Sequence, residues 1–260
     1  MTIHRTLWAS LLAGVLPFAV AAQGVEYGPE ITLGDGTLRT FAETNAAGLA
    51  TRIGVEITEA ALASVGTDML FVSAPLPEAA AAAGYNHLSL DWMPHGHAPG
   101  ELFGVPHFDV HFYMTTEAER LSIDPSDPLF MAKAENRPST ELLPANFVAP
   151  PEPEPVPAMG EHWVDITDPV FAGSPFEAVL IYGAWDGEVI FVEPMVTRDL
   201  LESRVDFGGE LGQPAQVTQA VSLPNAWSVS FDDETGVHVV SIDNLVARTP
   251  GDEAVSVPTN

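Results

Sequence analysis

The chain has 260 residues, with 36 acidic against 9 basic side chains and a formal net charge of −27. That balance repels polyanions and leaves no basic stripe, which argues against nucleic-acid binding, since such binding is driven by Lys and Arg releasing counterions from phosphates. There is no cysteine, so disulfides, thiolate catalysis and cysteine metal sites are excluded, and the fold must be held by its core, by a metal or by subunit contacts.

In chain order, His4 and Arg5 precede an apolar run from Leu7 to Val20 and the small residues Ala19-Val20-Ala21. This order predicts a signal peptide over residues 1–22, cleaved to leave a periplasmic or secreted protein with no membrane attachment. The apolar run is too short for a spanning helix. An α+β domain with a Pro-rich spacer is expected over residues 23–205, and a C-terminal hairpin extension and tail over residues 206–260.

Ile31 to Arg39 reads as a hairpin around Gly34-Asp35-Gly36, followed by a β-branched strand from Arg52 to Thr58. Thr58 is placed to cap a short helix to Val65, and Glu78 to Ala83 is an alanine-rich helix ended by Gly84. Two alternating strands follow. Leu88, Leu90 and Trp92 share one face against His87, Ser89 and Asp91, and Phe108, Val110, Phe112 and Met114 oppose His107, Asp109, His111 and Tyr113. Thr116 with Glu119 forms a capping box, and Asp127-Pro128 starts a helix to about Asn136.

Prolines 144, 150, 151, 153, 155 and 157 then impose an extended spacer over residues 144–157, read as a surface connection. Beyond it come a strand over 162–166, a hairpin of 178–182 with 188–193, a helix capped by Thr197, and a last hairpin of 227–231 with 237–245. Hairpin-joined strands with interspersed helices in no regular βαβ order predict an α+β fold. Its sheet is largely antiparallel, its helices are short, and the Pro-rich spacer separates two halves.

Four of the eight histidines, His95, His97, His107 and His111, fall between Pro94 and Tyr113 together with Glu101 and Asp109. Histidine is the commonest metal ligand, so this segment has the composition of a metal site. On a strand His107, Asp109 and His111 project from one face. The two imidazoles are about 13 Å apart at their α-carbons, which favours one as ligand and the other as neighbour. His95 and His97 sit on a loop shaped by Pro94, Gly96, Pro99 and Gly100. With Glu101 they reproduce the His-x-His-x₃-Glu spacing of the first metal motif of cupins, a local likeness without the second motif. A nitrogen and oxygen donor set suits a divalent transition metal such as Zn, Fe, Mn or Cu. The competing reading is a polar strand whose histidines titrate without a role. His87 and His238 are read as structural.

His162 and Glu193 complete the set. Each lies on an otherwise apolar strand face, and a buried carboxylate or imidazole needs a partner, so both are expected beside His107 and His111. The alternative for Glu193 is that its strand has already ended at the surface before Pro194.

The run from Pro106 to Tyr113, with Met159-Gly160, His162 to Asp165, Tyr182-Gly183, Asp186-Gly187 and Glu193-Pro194-Met195, resembles an uncharacterised exported bacterial family typified by a sigma-factor-regulated Thermus protein. The likeness runs from about Ile31 to Leu201. It implies an exported, homo-oligomeric protein and supplies no catalytic residues or small-molecule ligand. Two functions remain in view: an exported metal-binding protein or metal-dependent enzyme, and a non-enzymatic envelope or stress-related oligomer with structural histidines. No Gly-x-Ser-x-Gly elbow or phosphate-cradling loop occurs.

Overall fold

The computed structural model describes residues 24–252, so the expected signal peptide lies outside the described residues. The chain opens with β1 (Gly24–Tyr27), β2 (Ile31–Leu33), β3 (Gly36–Thr44), β4 (Ala50–Thr58), α1 (Glu59–Ser64), β5 (Leu70–Pro75), α2 (Glu78–Ala82) and β6 (His87–Met93). Then follow α3 (Gly100–Phe103), β7 (His107–Tyr113), α4 (Glu117–Leu121), α5 (Phe130–Glu135), β8 (Phe147–Val148) and β9 (Glu161–Asp165). The remainder is β10 (Ala178–Trp185), β11 (Glu188–Thr197), α6 (Arg198–Ser203), β12 (Phe207–Glu210), β13 (Val221–Leu223), β14 (Ala226–Asp232), β15 (Val237–Asp243) and β16 (Val246–Arg248).

Two seven-stranded antiparallel sheets carry the fold. In the first, the order is β1-β3-β4-β15-β14-β12 with β2 also on β3; in the second it is β5-β6-β7-β11-β10-β9-β8. β12, β14 and β15 therefore return to the first sheet, where β15 pairs with β4 from Val237↔Thr58 to Asp243↔Arg52, while β13 and β16 pair with each other in a separate two-stranded sheet. The inner faces meet in one core. Ile53, Val55, Ile57, Val240 and Ile242 of the first sheet pack in the same cluster as Leu88, Leu90, Trp92, Phe108, Val110 and Phe112 of the second. Alternation at period two sends these side chains to one face of each strand.

The α+β expectation is corrected by this architecture. Among the described residues, strand accounts for 42 % and helix, 3-10 turns included, for 17 %, and the six α-helices are four to six residues long. Helices of about one turn cannot form a layer with its own apolar stripe, so the layers that bury the core are both sheets. The helices cap and close strand ends. Thr58, Thr116 and Thr197 each accept a hydrogen bond from a first-turn N–H, and Thr116 with Glu119 completes the capping box.

The two outer faces differ. That of the first sheet carries ion pairs, Arg39 with Glu56 at 2.6 Å and Arg52 with Glu43 and Asp243 at 2.9 Å each, around a small apolar cluster of Phe41, Val237 and Val239. That of the second sheet is roofed, so every residue of β6 and β7 is buried. Loop 94–106 lies over one end, where the His97 ring is 4.7 Å from that of His107. The chain after β7 covers the other end, with Tyr113 Oη donating to the Ala158 carbonyl at 3.2 Å.

The Pro-rich spacer is part of this roof. Its prolines cannot donate to a ladder; Phe147 and Val148 pair at the edge of the sheet on β9, and Val156 forms an isolated antiparallel bridge with Gly160. The Arg137 guanidinium pins it, donating to the Pro150 carbonyl at 2.8 Å and to both Glu161 oxygens at 2.8 and 3.0 Å.

Candidate metal centre

The polar stripe lies on the roofed face because register puts it there. Across β6 and β7, Met93 faces His107, Asp91 faces Asp109, Ser89 faces His111 and His87 faces Tyr113. On the other side of β7, Met195 of β11 faces Asp109 and Phe191 faces Tyr113, while the ladder is broken at Glu193 and Pro194. Pro194 has no N–H to give, and β11 nevertheless continues to Thr197, which leaves Glu193 buried within the sheet. Glu193 faces Ile181 of β10, and His162 of β9 faces Gly183.

Two glycines shape the site. Gly96 has φ +67°, and a β-carbon there would overlap the Phe103 carbonyl at 2.1 Å. Only glycine lets the loop turn so tightly and bring His97 over the sheet. At Gly183 a β-carbon would lie 1.9 Å from the Phe191 ring. That ring occupies the vacant space and packs against His111 and His162, with centroids at 4.8 and 5.5 Å.

Two groups of side chains each bring three ligand atoms within 4.8 Å of one another, close enough to hold a metal ion. The first is His97, His107 and Asp109; the second is His111, His162 and Glu193. In the first, His107 Nδ1 is 2.7 Å from the Val105 carbonyl and His97 Nδ1 is 2.8 Å from that of Ala98. A carbonyl can only accept, so both Nδ1 atoms carry the proton and both Nε2 atoms present lone pairs in the neutral ring. These point at one carboxylate: His107 Nε2 is 3.1 Å from Asp109 Oδ1, and His97 Nε2 is 3.5 Å from Asp109 Oδ2. Neither His107 Nε2 nor Asp109 Oδ1 has a hydrogen-bond partner, although both are buried.

Charge follows from these surroundings. Burial pushes the Asp109 carboxyl up, but the imidazoles of His107 and His97 outweigh it and hold it down to about 2. Burial lowers His97, and the Asp109 carboxylate and the Ala98 carbonyl together raise it by more. Asp109 is thus an anion at neutral pH.

The second group is driven to neutrality instead. His111 Nε2 lies 3.3 Å from Glu193 Oε1 and its Nδ1 lies 3.7 Å from Asp91 Oδ2, while His162 Nε2 is 3.6 Å from Glu193 Oε2. Burial pushes His111 down to about 3 and raises the Glu193 carboxyl well above its usual range, with Asp109 and Asp91 adding to the latter. Close approach here means a protonated acid beside neutral imidazoles and not an ion pair. Burial pushes His162 down too, to about 4, opposed in part by the Asp109 and Glu161 carboxylates. Asp91 is raised to about 7 by burial, against the 2.7 Å hydrogen bond from Ser89 Oγ.

Of the residues singled out from sequence, His97, His107, Asp109, His111, His162 and Glu193 are brought together in these two groups. His95 and Glu101 are exposed and belong to neither, so the cupin-like spacing does not assemble a shell. His107 and His111 fall in different groups, as a strand with its 13 Å separation requires. His87 is buried and stacks on Tyr113 at 4.8 Å, and His238 packs against Phe231 in the first sheet. The contact of Asp91 with His111 and the Arg137–Glu161 clamp were not foreseen. Shared alternation of Asp91 with the polar face was the one available signal for the former; the clamp joins a loop to a distant strand and has none.

Comparisons with protein-family models, curated proteins and solved structures return no match to this chain.

Proposed function

We propose that this protein binds a divalent transition metal, zinc, iron, manganese or copper, through His97 Nε2, His107 Nε2 and the Asp109 carboxylate. The observation that carries the reading is the convergence of two imidazole lone pairs, each fixed by its ring's Nδ1–H donated to a backbone carbonyl, on one buried anionic carboxylate. Three acceptors with no donor between them repel unless a cation joins them, and an Nδ1–H bonded to a carbonyl is how ligating histidines are commonly oriented. His111, His162 and Glu193 form an adjoining set, which must lose the Glu193 proton before it can take an ion. Two histidines and one carboxylate leave coordination positions free. An ion held there has the means to polarise a carbonyl or to supply hydroxide.

Metal analysis of untagged protein, with titration of the metal-free form by each ion, tests the proposal. We expect about one ion per chain and a rise in Tm. His107→Ala and His97→Ala should each weaken uptake by more than the roughly 10- to 100-fold typical of losing a supporting hydrogen bond. Absence of metal in the native protein, with no stabilisation by any of the four ions, refutes it.

A second reading has one observation in its favour. The raised His97 and depressed Asp109 can be satisfied by a proton, making a structural ion pair. Asp109→Asn then destabilises the protein with no metal effect. Export to the periplasm or medium belongs to the proposal and rests on the pattern of residues 1–22. An intact mass from the native host that includes Met1 to Val20 overturns it. The homo-oligomer implied by the family resemblance is checked by light scattering.

A further inference from the structure

Above the two groups lies a pocket of about 710 Å³, a volume suited to a small organic molecule. Its walls are apolar, built from Phe103, Phe171, Ile181, Val156 and Pro157 among others, and no Lys or Arg among the described residues lines it. The polar side chains reaching it are His97, Asp109, His162 and Glu193 from the candidate metal groups, and the exposed Glu154. Its polar chemistry is thus concentrated where the ion would sit. Phe71 is 61 % exposed and Val156 39 % exposed, which leaves apolar surface bare around the pocket.

The spacer's part of the wall is preformed. Proline fixes φ at Pro150, Pro151 and Pro157, Arg137 holds the Pro150 carbonyl, and the Glu154 N–H donates to Glu161 at 3.2 Å. A wall already ordered loses little entropy when a ligand arrives.

We infer that this pocket takes an uncharged, predominantly apolar small molecule that presents one carbonyl or hydroxyl oxygen to the ion at its floor. The inference rests on the metal reading. Apolar walls reward a hydrocarbon body, and an open coordination position rewards a single oxygen donor. Against a free anion stand the Glu154 carboxylate, the lack of Lys or Arg among the described lining residues and a net charge of −27, which oppose the single positive charge the ion retains once Asp109 holds it.

The test uses cobalt(II)-loaded protein with octanamide, acetamide and octanoate as probes. Octanamide should bind at least about fiftyfold more tightly than acetamide, the factor for burying half of its six additional methylenes. It should also bind at least tenfold more tightly than octanoate and alter the visible cobalt spectrum. Val156→Asp, a substitution at an exposed site outside the metal groups, should weaken octanamide at least tenfold and leave cobalt uptake unchanged. Equal affinities for the two amides, preference for octanoate, an unchanged spectrum or an insensitive Val156→Asp each overturn the inference while cobalt uptake still supports the metal reading. Failure to take up any of cobalt, zinc, iron, manganese or copper overturns both.

Discussion

Which nitrogen of His97 and His107 carries the proton is decided by a carbonyl one or two residues away, and this local bond leaves Nε2 as the metal-facing atom in each ring. Titration of the neighbouring groups gives a pH dependence with two opposing parts. In metal-free protein, burial holds His87 down to about 4 and His111 down to about 3, whereas the unfolded chain titrates near about 6.5. The unfolded state binds the extra protons in that window, so this contribution to stability is present above about pH 6.5 and lost as pH falls towards those values. Asp91, raised to about 7, and Glu193 act in the other direction. Their contribution is complete below the unfolded carboxyl pKa of about 4 and is lost as pH rises through the folded values. We predict that Glu193→Gln, studied with chelator present, gains stability relative to the wild type steadily from pH 4.5 to 7.5. Urea denaturation across that range checks it, and a constant difference contradicts it. Binding of an ion to the second group must also release the Glu193 proton, detectable as a buffer-dependent heat near neutral pH.

At the scale of elements, β9, β10 and β11 are joined through the Phe191 ring seated on Gly183. Gly183→Val should cost about 1–3 kcal/mol by overpacking and should weaken metal uptake, since Phe191 lies against His111 and His162; chemical denaturation and metal titration read both. The roof makes a separate prediction. Arg137→Ala strips the buried Glu161 of its guanidinium partner and frees the Pro150 carbonyl, with an expected loss of about 1–3 kcal/mol. Spacer residues 148–157 should then exchange amide hydrogens faster, while β7 stays protected. Strands, hairpins and capped helices were legible because their causes are local: alternation, turn glycines, and Thr58, Thr116 and Thr197 ahead of a first turn. The run of β11 past Pro194 was not, because a proline in a sheet interior is tolerated only where the neighbouring register allows a gap in the ladder.

For the whole molecule, a net charge of −27 on a single sandwich means strong self-repulsion at low ionic strength. Raising sodium chloride from about 10 mM to 0.5 M shortens the Debye length from about 30 Å to under 8 Å, and Tm should increase; a flat or falling Tm counts against repulsion as a factor. No helix among the described residues is long and apolar enough to cross a membrane. By itself the sequence determined which residues alternate, where most elements begin and end, and that His107, Asp109 and His111 share a polar face, because strand geometry has a period of two regardless of context. Only the tertiary structure decided that the helices are too short to form a layer, that the chain after residue 206 re-enters the first sheet, and that loop 94–106 and the Pro-rich spacer roof the polar face. It also divided the ligand candidates into two groups, excluding His95 and Glu101 and setting the expected His162 and Glu193 with His111 and not with His107. Those outcomes depend on long-range pairing and on which surface a loop covers, and no local pattern in the chain encodes either.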